Sequence, residues 1–101
     1  MAQATIFQIP TDQMINFFGK DVRKAHTEYA LTRHGFASIF AVPCELVGEA
    51  AAEEMFDLSN NPSREDEREA KWGRHRSLSV GDVVHVDGES FICASFGWEK
   101  L

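Results

Sequence analysis

Val83-Val84-His85-Val86-Asp87-Gly88-Glu89-Ser90-Phe91-Ile92-Cys93-Ala94 is the stretch whose reading decides the fold class. Two β-prone runs flank Asp87-Gly88, a dipeptide that suits a type I′ hairpin turn because both central residues need positive φ. With a two-residue loop, Val84 stands opposite Phe91 and Val83 opposite Ile92. Both faces of the hairpin then carry apolar groups, which suits strands inside a sheet better than a pair open to water. Phe96 and Trp98 read as an extension of the second strand beyond its partner.

Upstream of the hairpin, Ser77-Leu78-Ser79-Val80-Gly81-Asp82 reads as a polar turn leading into the strand, with serine hydroxyls accepting backbone hydrogen bonds. From Arg64 to Arg76 bases and acids are mixed. Ser63 and Asp66 fit the capping-box spacing, so a short exposed helix and a flexible loop both fit. Ala50 to Ser59 is expected to be helical, with Ala52, Met55, Phe56 and Ser59 on one face. Asn60-Asn61-Pro62 ends it. The piece from Glu45 to Glu49 fits a short strand or a helix start.

Phe36 to Val42 is a strand candidate closed by Pro43, and Ala4 to Ile9 is a first strand stopped by Pro10. Between them, Met14, Phe17 (or Phe18), Val22 (or Asp21), Ala25 and Tyr29 recur at helical steps. Gly19 interrupts that pattern and Asp21 could cap a fresh start, so one kinked helix and two short ones both fit. Gly35, just after Arg33 and His34, stands where a C-terminal glycine belongs. The expected architecture is a single α+β domain spanning residues 1–101. It has an antiparallel sheet of about four strands with two to three helices packed on one face.

The chain has 101 residues, 44% of them hydrophobic and 11% aromatic, enough for one core without staples. No basic flank precedes a long apolar stretch at the N-terminus, and the longest nearly apolar run, Phe36 to Cys44, is too short to span a bilayer. Two cysteines suggest no disulfide framework, and Pro62 spoils the one glycosylation triplet, at Asn61. A cytoplasmic protein with no membrane contact is expected. The net charge is −6 and is concentrated after residue 34. Glu45, Glu49, Glu53, Glu54 and Asp57 share one stretch with no base. Such a surface is repelled by nucleic acid and attracted to basic protein surfaces.

His26, His34, His75 and His85 are widely spaced and lack a metal-ligand motif, so they read as ordinary surface or boundary residues. Cys93 reads as a small core residue, and Glu45 beside Cys44 opposes a reactive thiolate there. There is no nucleophile elbow and no phosphate-cradling glycine loop. Trp72 lies among Lys71, Arg74, His75 and Arg76, but the acids at 65 to 69 neutralise most of that charge. A solvated loop stitched by local ion pairs is the reading there. No catalytic residue, cofactor or metal is expected. On a helix, Glu49, Glu53 and Asp57 recur every four residues at roughly 6 Å intervals, and Glu54 widens the row. Composition favours the plainer reading, that any amphipathic helix has a charged outer face. The sharper reading is a line of negative charge that imitates a phosphate backbone. Glu65, Asp66 and Glu69 would extend that surface, and Trp98 would add an aromatic contact.

Three pieces of the C-terminal half resemble the signature of the YodL-like domain family. They are Arg76-Ser77-Leu78-Ser79-Val80-Gly81-Asp82-Val83-Val84, then Asp87-Gly88, then Ala94-Ser95-Phe96-Gly97-Trp98. Upstream, Glu53-Glu54-Met55-Phe56 before Asn60-Asn61 is similar to the family's short helix ending in Asn. The resemblance covers residues 50–101 and departs at Ile92-Cys93-Ala94, where the pattern often has Tyr or Val. It implies a short protein or module of phages, plasmids or integrative elements, and brings no catalytic residues to this chain. The expected function is binding to a protein partner with a basic surface, in its specific form inhibition of a nucleic-acid-targeting defence complex. The alternative is a self-associating assembly module, a homo-dimer formed through Phe96 to Trp98.

Overall fold

A computed structural model describes residues 2–32 and 36–101. The expected C-terminal glycine at Gly35, and His34 beside it, lie outside the described residues. In chain order the strands are β1 (Gln3–Gln8), β2 (Ser38–Pro43), β3 (Val83–Val86), β4 (Glu89–Cys93) and β5 (Trp98–Lys100). The helices are α1 (Val22–Thr32), α2 (Gly48–Asn60) and α3 (Glu65–Lys71), with 3-10 turns at Thr11–Asn16 and Pro62–Arg64. The five strands form one antiparallel sheet in the order β2-β1-β3-β4-β5. The class is α+β as expected, with five strands where about four were counted.

The β3–β4 hairpin has the register read from its turn: Val84 pairs with Phe91 and Val83 with Ile92. Asp87 and Gly88 have φ values of 50° and 77°, as a type I′ turn requires. The fifth strand comes from a turn absent from the expected layout. Phe96 and Trp98 do not prolong β4. The chain reverses at Ser95–Gly97, the Ala94 N–H donates to the Gly97 carbonyl, and Trp98 returns beside Cys93.

Apolar side chains on both sheet faces are covered, so the helices are divided between the faces rather than gathered on one. On the first face Ala4, Ile6, Val42, Val84 and Phe91 pack with Ala51, Ala52, Met55 and Leu58 of α2 and with Trp72 and Leu78. On the second face Val83 and Ile92 pack with Phe17, Val22 and Tyr29, joined by Phe7, Met14, Ala25 and Phe36. Neighbouring strand residues point to opposite faces, which is why Val83 and Val84 serve different clusters. The segment between β1 and β2 resolves into two short pieces. Asp21 Oδ1 accepts from the N–H groups of Arg23 and Lys24, the cap that starts α1 afresh.

α2 carries one correction of its own. Its buried face is Ala51, Ala52, Met55, Leu58 and Ser59, while Phe56 is exposed. Each residue advances about 100° around a helix, so Phe56 stands one step round from Met55, at the edge of the core face. Trp72 lies in the segment read as a solvated loop, yet it is only 1% exposed. It meets Phe40 edge-on at 5.0 Å, and its indole N–H donates to the Arg76 carbonyl at 3.0 Å.

Candidate functional site

The acidic row on α2 is partly occupied from within. Arg64 closes on it: Nη1 reaches Glu54 Oε1 at 2.8 Å and Asp57 Oδ2 at 2.9 Å, and Nη2 reaches Glu67 Oε2 at 2.8 Å. Three carboxylates hold this guanidinium charged, well above its ordinary pKa range. Hydrogen bonds from Arg64 and Lys71 pull Glu67 down to about 2. Glu54 is therefore paired with Arg64 of the 3-10 turn, and Asp57 shares the same guanidinium. Glu49 and Glu53 are exposed and form no ion pair among the described residues. Glu65, Asp66 and Glu69 are exposed on α3, where the first two favour the positive end of that helix.

Glu53 and Asp57 edge a groove of about 280 Å³ between α2 and the β4–β5 turn. Its apolar wall is Phe56, Cys93, Ala94 and Trp98, and Ser95 and Gly97 complete the lining without a base. The Phe56 and Trp98 rings stand nearly perpendicular with centroids 6.4 Å apart. At the tip of the turn Phe96 is 97% exposed. The Gly19 N–H donates to Ser95 Oγ at 3.3 Å, which brings the loop holding exposed Phe18 beside the same turn. Of the expected contact residues, the fold thus joins Glu53, Asp57 and Trp98 in one place. It leaves Glu49, Glu65, Asp66 and Glu69 outside the lining. The expected core position of Phe56 hides its place in the groove, and its one-residue offset from Met55 is the signal that turns it outward.

The serine-rich motif before β3 has a structural role. Arg76 grips Asp82 through both guanidinium nitrogens, at 2.6 and 2.8 Å, and its Nη2 also donates to the Ile9 carbonyl at 2.6 Å. Asp82 is 0% exposed and accepts from the N–H groups of Ile9 and Ser79 as well. Burial pushes its carboxyl pKa up, against the pull of Arg76 and the two amides. Ser77 Oγ donates to the Ser59 carbonyl, Ser59 Oγ accepts from the Leu78 N–H, and Asn60 Nδ2 donates to the Leu78 carbonyl. The motif is a clamp joining α2, β1 and β3.

Cys93 is buried, and burial, with Asp82 nearby, pushes its thiol up to about 12. Cys44 is buried too, its thiol directed at the Leu46 carbonyl. Among the described residues no three His, Cys, Asp or Glu side chains converge as a metal-holding group, and no helix is long and apolar enough to cross a membrane. A broader hollow of about 430 Å³ contains Arg74, His75 and Arg76 with Asp12. Arg76 there is committed to Asp82, and His75 lies stacked on Phe40 at 3.6 Å. In comparisons with protein-family models, curated proteins and solved structures, nothing matches the chain.

Proposed function

We propose that this chain is a cytoplasmic protein-binding domain that acts by occupying a basic surface of another protein and not by catalysis. The observation that carries this reading is the joining of uncompensated acid and exposed aromatic surface at one end of the molecule. Glu53 borders an apolar groove there, and Phe96 projects beside it. Aromatic side chains supply much of the affinity at protein interfaces, and complementary charge supplies steering and selectivity. In its specific form the partner is a nucleic-acid-targeting host defence complex, and the domain is an inhibitor carried by a phage, plasmid or integrative element. The YodL-like resemblance of residues 76–98 supports that setting.

The test is capture of purified defence complexes by the tagged chain at low and high salt, followed by a nucleic-acid competition assay on the captured complex. Stoichiometric capture that weakens at high salt and blocks nucleic-acid binding is the expected result. Phe96→Ser, at a side chain the fold does not bury, is expected to weaken capture. Recovery of the bait alone would sink the inhibitor reading. The exposure of Phe96 and of Phe18, on loops joined by the Gly19–Ser95 hydrogen bond, favours a second reading, a self-associating assembly module. A concentration-dependent dimer in sedimentation, lost on Phe96→Ser, would identify it.

A further inference from the structure

We infer that the groove between α2 and the β4–β5 turn seats one arginine side chain of a protein partner. This inference rests on the protein-binding reading above and names the chemistry that reading would use. At about 280 Å³ the groove falls just below the roughly 300–1,000 Å³ of pockets that enclose drug-sized ligands. It is suited to one long side chain. Its lining includes the rings of Phe56 and Trp98, set at 87°. A cation prefers an indole face to any other aromatic surface, and a guanidinium stacks on it while remaining weakly hydrated. Ala94 and Cys93 give the methylene stem an apolar wall.

The rim supplies the charge. Glu53 and Asp57 are one helical turn apart and both line the groove, and no base is in that lining. Asp57 already accepts a guanidinium on its other flank, from Arg64 at 2.9 Å. This helix therefore binds an arginine of its own chain through Asp57 of the groove lining and through Glu54, which lies outside that lining. Glu53 has no such partner among the described residues, and it is the group left to meet an incoming cation. Arginine is favoured over lysine because the site pairs a flat aromatic surface with carboxylates, which a planar fork matches and a compact ammonium does not.

The experiment uses the full chain labelled with ¹⁵N and three blocked pentapeptides of glycine with a central arginine, lysine or citrulline. Citrulline keeps the shape of arginine without the charge. The arginine peptide is expected to shift the Trp98 indole N–H and the Ala94–Gly97 amides saturably. Binding is expected to be about tenfold tighter than for citrulline, from one cation–π contact plus one exposed ion pair. Glu53→Gln is expected to weaken it roughly threefold or more while leaving the amide spectrum outside the groove unchanged. Equal binding of citrulline, or no shift at Trp98, overturns the proposal. Shifts at Trp98 that follow the chain's own concentration without peptide place a second copy in the groove and overturn it too. A partner held equally well by Glu53→Gln and by the native chain removes the arginine seat while the protein-binding reading stands.

Discussion

At Gly81 the backbone has φ +96°, and a Cβ built there would lie 2.6 Å from Ile9 Cδ1 and 2.9 Å from the Phe17 ring. Both contacts are with side chains packed in the second-face core, so neither can yield freely. Gly81→Ala combines a left-handed conformation costing about 1–2 kcal/mol with overpacking of about 1–3 kcal/mol. A loss of roughly 2–5 kcal/mol is expected, read as a lowered denaturant midpoint with unchanged slope. A midpoint within error of the native chain would show that Ile9 and Phe17 have room to shift. Nothing around Gly81 in the chain signals this crowding, because Ile9 and Phe17 lie more than sixty positions away and arrive only through β1 and the loop after it.

Arg64 ties α2 to α3 through ion pairs, and Trp72, just after α3, shares the core cluster of α2. Glu67 meets Arg64 and Lys71, and its pKa falls from 4.5 to about 2. A carboxylate with a depressed folded-state pKa contributes stability that is present above its unfolded value. That contribution fades as pH falls from about 4.5 towards 2. Glu67→Gln is therefore expected to lower stability modestly at pH 7 and to leave it nearly unchanged near pH 2. Chemical unfolding across that pH range checks the prediction, and equal losses at both ends would mean that packing, not charge, is the role of Glu67. The acidic row itself was legible in the chain, since four-residue spacing places Glu49, Glu53 and Asp57 on one side of a helix. Its partial neutralisation was not. Arg64 follows Glu54 by ten positions, across a helix end and a 3-10 turn, and only the turn at Asn61–Pro62 brings it back.

The whole molecule is one sheet between two helical layers, and β3 and β4 contribute to both cores through alternate residues. The Arg76–Asp82 clamp binds the end of β1 at Ile9 to the turn before β3, so it serves both layers at once. Unfolding is expected to be a single cooperative event. Tryptophan emission, from Trp72 and Trp98 of the first-face cluster, should share its midpoint with NMR signals of Val22 and Ile92 on the second face. Arg76→Met leaves Asp82 buried without its counter-charge, and about 3–5 kcal/mol is expected to be lost from both probes together. Separate midpoints, or a loss confined to one face, would mean that the layers fold independently.

Local chemistry alone determined the β3–β4 hairpin, its register, the helical nature of residues 50–59, the antiparallel α+β class and the negative row on α2. Each depends on neighbours within a few positions: positive φ at Asp87-Gly88, alternation along a strand, four-residue spacing on a helix. The burial of Trp72, the Arg76–Asp82 clamp, the return of β5 and the cover on both sheet faces were decided by tertiary structure. So was the groove, because Glu53 and Trp98 are 45 positions apart in the chain and meet only where α2 crosses the end of the sheet. A polar or aromatic residue in a charged stretch carries no local mark of the side it will face. Packing decides that, by offering Trp72 an apolar neighbour in Phe40 and Asp82 a counter-ion and two amides.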